Sequence, residues 1–257
     1  MTDVLEKART AIAAHDLVAP DAAVLLMVSG GSDSTALAYL GAALREAGDV
    51  GPVAMLHVNH QLRGDDADAD ERFVAADDDD RNAKQAREAW YGALVESGRM
   101  PAANIHAMPA DTRGAEEIAA ASPEQTDAVL AEAAAEYQRE LIEQLGENPA
   151  LDIAMFGMGP DAHFASLFPD HGEAEIDDPH VLVAGVRDSP KPPPLRLTLT
   201  VPMIVRSKHT WVFTSEERKA GAVKAAFAQR NNPHAPSSYA DGEELLWLID
   251  EGAASKL

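Results

Sequence analysis

Residues 22–58 read AAVLLMVSGGSDSTALAYLGAALREAGDVGPVAMLHV, and this stretch decides the fold class. A nearly continuous apolar run from Ala22 to Val28 ends at Ser29-Gly30-Gly31, Thr35 to Ala47 reads as a helix, and a second apolar run spans Val53 to Val58. Short apolar runs bounded by glycine fit strands buried on both faces, and strand, turn, helix, strand is the basic piece of a parallel sheet covered by helices. The expected fold is α/β, a three-layer α/β/α, Rossmann-like domain with a mainly parallel sheet.

Working outward, Val4, Leu5, Ala8, Ala11 and Ile12 give residues 3–16 helical spacing. Beyond the acidic seam at 65–80, Asn82 to Leu94 reads as a helix, Asn104 to Met108 as a short strand, and 110–122 as a mobile connection rich in Ala and Glu. Ser122-Pro123-Glu124-Gln125 is a helix start, with a capping serine, a proline at the first helical position and a reciprocal glutamine. Val129, Ala133, Tyr137, Leu141 and Leu145 then line one face before Gly146. Strands are expected at Leu151 to Phe156, Val181 to Val186, Leu197 to Thr200, Thr210 to Thr214 and Leu245 to Ile249, and a helix at Glu216 to Gln229. Residues 181–215 form a small β-containing excursion, and 1–257 reads as a single α/β domain with a head (1–69) and a body (70–257).

Composition narrows the function. The 257 residues are 46% hydrophobic, enough for a sizeable core. Their 43 acidic against 21 basic residues give a net charge of −22, which repels phosphodiester backbones, so no nucleic-acid partner is expected. The absence of cysteine removes disulfides, thiolate metal sites and cysteine nucleophiles. The opening MTDVLEKARTAIAAHDL is unlike a secretory signal, and no apolar run approaches the roughly 18 residues of a membrane span. A cytoplasmic protein with no membrane partner is expected.

Two constellations carry chemistry. In Val28 to Leu37, VSGGSDSTAL, Gly30 and Gly31 let the backbone approach an anion closely while Ser32, Ser34 and the N–H groups of the helix start act as donors. The plainer reading is a tight turn whose hydroxyls only cap the helix. In Gly157 to Pro169, GMGPDAHFASLFP, His163 follows a strand end and a Gly-x-Gly turn, where a parallel sheet presents its ligand crevice. Asp161 is near enough in sequence to orient the imidazole or its water for general-base hydrolysis, and the plainer reading is a structural histidine. His57 and His60, three apart on an expected strand, point to opposite faces and make no metal pair by themselves. The run Asp77 to Asp80 is most simply a solvated cap for the helix that follows.

The His163 segment resembles the signature of the 6-phosphogluconolactonases. DERFVAADDDDRNAKQARE (70–88), DSPKPPPLRLTLT (188–200) and ELLWLIDEGAASKL (244–257) resemble the same family in order and spacing, so the likeness covers about residues 70–257. It implies hydrolysis of a phosphorylated sugar lactone, 6-phospho-D-glucono-1,5-lactone, without metal or cofactor. His163 would be the base and Asp161 its orienting partner. Arg72, Lys191 and nearby Arg196, with the Gly30–Gly31 turn, would hold the phosphate. Prolines 190 and 192–194 stiffen the loop around Lys191, so its ammonium loses less freedom on binding. The family usually has glycine where Ala162 stands; a position needing positive φ would be strained by the added methyl.

VSGGSDSTAL together with LHVNHQLRG (56–64) resembles instead the pyrophosphate loop of the tRNA(Ile)-lysidine synthases over about residues 5–74. The chain thus reads as a chimera with a synthase-like head and a lactonase-like body. The alternatives are an ATP-dependent, synthase-like tRNA-modifying enzyme and an inactive phosphosugar-binding fusion. The extra chain at 61–69 is the place where Arg72 would be displaced.

Overall fold

The computed structural model describes residues 2–15, 24–28, most of 40–50, 53–57, 75, 76, 78, 81–190 and 194–257. The opening helix α1 (Thr2–His15) packs Leu5 and Ile12 on the core, and Arg9 ties it to Asp49 at 2.6 Å. Strands β1 (Val24–Val28) and β2 (Val53–His57) pair in parallel, Val24 opposite Val53, as the glycine-bounded apolar runs predict. Most of the helix expected at 35–47 lies outside the described residues.

A helical stretch follows, comprising α2 (Asn82–Ala86), a π-helical turn (Arg87–Tyr91) and α3 (Gly92–Glu96). Its N-cap is Arg81, with no side-chain cap, and the one described aspartate of the acidic run, Asp78, accepts the Arg81 N–H through its main-chain carbonyl. Two expectations fail in the next segment. No strand forms at 104–108: Ala102–Asn104 is a 3-10 turn, and Ile105 makes only an isolated bridge. The carbonyls a ladder would use are taken by side chains, that of His106 by the Tyr137 hydroxyl (3.0 Å) and that of Met108 by the Arg81 guanidinium (2.6 Å). Nor is 110–122 a loose connection, because Ala115–Ala120 is a helix, α4, with Glu116 and Glu117 in its first turn, where the helix dipole favours them. A two-pronged ion pair between Arg113 and buried Asp111 anchors the chain just before it.

Helix α5 (Pro123–Leu145) begins with the capping box its sequence predicts: Gln125 N–H donates to Ser122 Oγ and Ser122 N–H to Gln125 Oε1. Strand β3 (Ile153–Gly157) is buried throughout and pairs in parallel with β6 (His209–Thr214), which pairs in parallel with β7 (Glu244–Ile249). Between β3 and β6 the chain makes the expected excursion, an antiparallel pair of β4 (Val183–Val186) and β5 (Arg196–Leu199). The pair lies against α5. A Cβ at Gly185 would stand 2.6 Å from the Leu130 Cβ, and Gln138 bonds both His180 O and Leu182 N–H. The short helix α6 (Val201–Ile204) starts on a Thr200 cap, and α7 (Ala220–Ala228) packs Val223 and Ala226 into the core.

Strand β1 lies close to β3, so the two described parallel ladders, β2-β1 and β3-β6-β7, meet at β1 and β3. Chain order reverses between β1 and β3, and such a switch point is where open α/β sheets bind ligands, beyond the carboxyl ends of the strands. The loop that leaves β3 there carries His163.

Candidate active site

Beyond Gly157 the chain folds back on itself: Gly159 N–H donates to His163 O (2.9 Å) and Ala162 N–H to Gly159 O (3.0 Å). The fold-back places the imidazole directly over Gly159. A Cβ there would overlap Cε1 and Nδ1 of the ring and stand 2.6 Å from Asp161 Oδ1, so the seat has room only for glycine. His163 is 1% exposed, and Phe168 lies against its ring at 4.8 Å between centroids. Its Nδ1 is hydrogen-bonded to Asp161 Oδ1, while the Asp161 side chain remains about a third open to solvent. A carboxylate at Nδ1 favours the tautomer with its proton on that nitrogen.

Four residues of this loop without the freedom of glycine have left-handed backbones: Ala162 (φ 68°), Ala165 (52°), Ser166 (64°) and Asp170 (61°). The condition attached to Ala162 is therefore met: it stands at positive φ. Such conformations persist where neighbours fix them. Ser237 N–H donates to Ala162 O (2.8 Å) and Ser237 Oγ to Met158 Sδ (3.1 Å), while Asp170 N–H donates to Pro233 O (3.0 Å). The segment at 231–240 thus braces the loop at both ends.

Ala162→Gly relieves about 1–2 kcal/mol of left-handed strain. It also loses a buried methyl, about 0.8 kcal/mol, and adds unfolded-state freedom of roughly 0.5–1 kcal/mol. The two sides nearly cancel, so the expected melting temperature stays within about 4 °C of the parent's. Ala162→Val puts a β-branched side chain at positive φ and should cost about 2 kcal/mol or more. Thermal melts of both variants check the pair of outcomes.

Arg196 is fully buried at the start of β5, opposite Val186. Thr198 shares its side of the strand, since side chains two apart point the same way, and the Thr198 hydroxyl reaches Ala165 O in the His163 loop. Strand and loop therefore meet. Ser189 N–H and Pro194 O join at 2.9 Å across the base of the proline-rich segment. Gly30, Gly31, Arg72 and Lys191 lie outside the described residues. Gly159, Thr198 and Ser237 escaped the sequence reading as site residues; the first was signalled only by the Gly-x-Gly turn, and the other two depend on contacts distant in sequence.

The family model described as glucosamine-6-phosphate isomerases/6-phosphogluconolactonase matches residues 2–247. A 6-phosphogluconolactonase of Mycobacterium tuberculosis is 42% identical over 192 residues, 73% of this chain and 71% of its own. One of Mycobacterium leprae is 40% identical over 190 residues, with the same coverage. The crystal structure of 6-phosphogluconolactonase from Leishmania guyanensis superposes with a TM-score of 0.67 at 21% identity, over 100% of this chain and 95% of that one, a likeness of fold. The matched model takes in the head as well as the body, which leaves the synthase-like reading of residues 1–69 unsupported. Among the described residues no helix is long and apolar enough to cross a membrane.

Proposed function

The chain belongs to the family of glucosamine-6-phosphate isomerases and 6-phosphogluconolactonases, and we propose that within it the chain hydrolyses 6-phospho-D-glucono-1,5-lactone to 6-phosphogluconate, a step of the pentose phosphate pathway, in the cytoplasm. The observation that carries this reading is the buried His163 imidazole bonded through Nδ1 to Asp161 at the end of β3. In the proposed reaction, water attacks the ring carbonyl while Nε2 of His163 takes its proton, and the imidazolium then returns that proton to the ring oxygen as the ring C–O bond breaks, giving the open-chain acid and the neutral imidazole. Asp161 holds the tautomer and steadies the imidazolium as it forms. Residues 1–257 act as one α/β domain, a reading that the position of β1 beside β3 supports.

The substrate is a small phosphorylated sugar lactone. Lys191, Arg72, Arg196 and the Gly30–Gly31 turn hold its phosphate in this reading, and they must do so locally, since a net charge of −22 repels a dianion at long range. The test compares the lactone with and without its phosphate. A charge-assisted hydrogen bond contributes about 1.5–3 kcal/mol, so two or more such contacts predict a kcat/KM at least roughly 10²-fold higher for the phosphorylated lactone. Equal values would refute a phosphosugar substrate. Lys191→Ala is expected to raise KM for the phosphorylated lactone about tenfold or more with kcat little changed. A larger loss on the unphosphorylated lactone would remove Lys191 from the phosphate site.

A further inference from the structure

We propose that Thr198 is a positioning residue for the reaction, holding the His163 loop through the carbonyl of Ala165. The inference rests on His163 as the base proposed above. Thr198 is 1% exposed in β5, and its Oγ1 has two carbonyls within reach, that of Ala165 and, at 2.9 Å, that of its neighbour Leu199. Ala165 is the nearer. It lies two residues after His163 and is the first of two consecutive left-handed residues, Ala165 at φ 52° and Ser166 at φ 64°. Neither has the freedom of glycine, so the turn needs outside bonds to keep its shape.

Ser237 N–H holds Ala162 O, Leu167 N–H closes on Phe164 O at 2.7 Å within the turn, and the Thr198 hydroxyl reaches Ala165 O. Thr198 joins the turn to β5, the strand that carries Arg196 two residues earlier on the same side. The strand is the firmer partner. Its ladder to β4 pairs Val183 with Leu199, Ala184 with Thr198, Gly185 with Leu197 and Val186 with Arg196, and α5 packs beneath the pair. Loss of the hydroxyl therefore leaves the strand in place and frees the loop. The effect falls on the placement of the imidazole, hence on kcat, while the groups that bind the ground-state substrate keep their positions.

Two substitutions separate the hydroxyl from the packing of its methyl. Thr198→Val keeps the shape without the donor, and Thr198→Ser keeps the donor without the methyl. Since a displacement of about 1 Å costs on the order of 10²-fold in rate, Thr198→Val is expected to lower kcat on 6-phospho-D-glucono-1,5-lactone about tenfold or more, with KM within about twofold of the parent's. Thr198→Ser is expected to keep kcat within about threefold, whatever its melting temperature. The proposal is overturned if Thr198→Val keeps kcat within about twofold, if the serine variant falls as far as the valine variant, or if the loss lies in KM alone. Should Thr198→Val not fold by circular dichroism, the serine variant decides: kcat within about threefold beside a lowered melting temperature supports the role, and a loss of about tenfold or more overturns it. His163→Ala is assayed alongside. Full activity there would sink the reading of the base itself, whereas an inactive His163→Ala beside a fully active Thr198→Val would sink only this inference.

Discussion

Replacing His163 by alanine is expected to lower kcat for lactone hydrolysis by about 10²- to 10⁴-fold, the usual contribution of a positioned general base. The imidazole is 1% exposed, lies over the Gly159 backbone and bonds Asp161 through Nδ1. Truncation also removes the ring packed on Phe168, and some loss of stability accompanies it. The fold should survive, because β3, β6 and β7 keep their ladders and the Ser237 and Thr198 bonds are made to main-chain atoms of the loop. His163→Asn separates the two effects: it refills part of the space with a polar group but has no basic nitrogen, so kcat should stay at the alanine level while stability recovers. Rates are measured on the phosphorylated lactone after subtraction of spontaneous hydrolysis. Activity of either variant within twofold of the parent's would move the base elsewhere.

The sequence showed those features whose cause is local. Parallel strands read as apolar runs, and β1, β2, β3, β6 and β7 formed within one or two residues of those runs. The α5 start was legible because a capping box needs only residues 122 to 125. The failures have a common origin in polar side-chain contacts that an apolar pattern does not show. The segment at 104–108 has strand composition, but its carbonyls are claimed by Tyr137 and Arg81, residues 31 and 27 positions away, so no ladder forms. The segment at 110–122 looked loose because the Asp111–Arg113 pair that anchors it is silent in a hydrophobicity pattern.

The site follows the same division. His163 and Asp161 were legible because they are two residues apart on one turn, and glycine usage at the position of Ala162 signalled the left-handed backbone found there. Thr198 and Ser237 were not, since the first acts across 33 residues and the second across more than 70. A composition of 43 acidic and 21 basic residues argued against nucleic acid, yet it is silent about where the five basic or glycine residues assigned to the phosphate would converge.

Gly159→Ala tests whether the imidazole is held by the shape of the backbone beneath it. The added methyl overlaps two ring atoms of His163 and crowds the carboxylate oxygen that orients them, so it meets both members of the pair at once. The ring is not the loose end of a flexible side chain: it is backed by Phe168, and the His163 carbonyl accepts the Gly159 N–H. Something must shift by about 1 Å or more, and a reacting group displaced that far loses on the order of 10² in rate. The expected result is a kcat reduced about 10²-fold with a far smaller effect on KM, because the candidate phosphate groups lie on other segments. Gly172→Ala is the control, since a Cβ there meets nothing within 4 Å, and it should match the parent. The double variant Gly159→Ala/His163→Ala identifies the route of the effect. If the methyl acts through the imidazole, it adds nothing once the ring is gone; a further loss comparable to that of Gly159→Ala alone would place its effect elsewhere in the site. Gly159→Ala within about threefold of the parent's kcat would show that the loop yields without displacing the base, and the tight seat would then have no catalytic consequence.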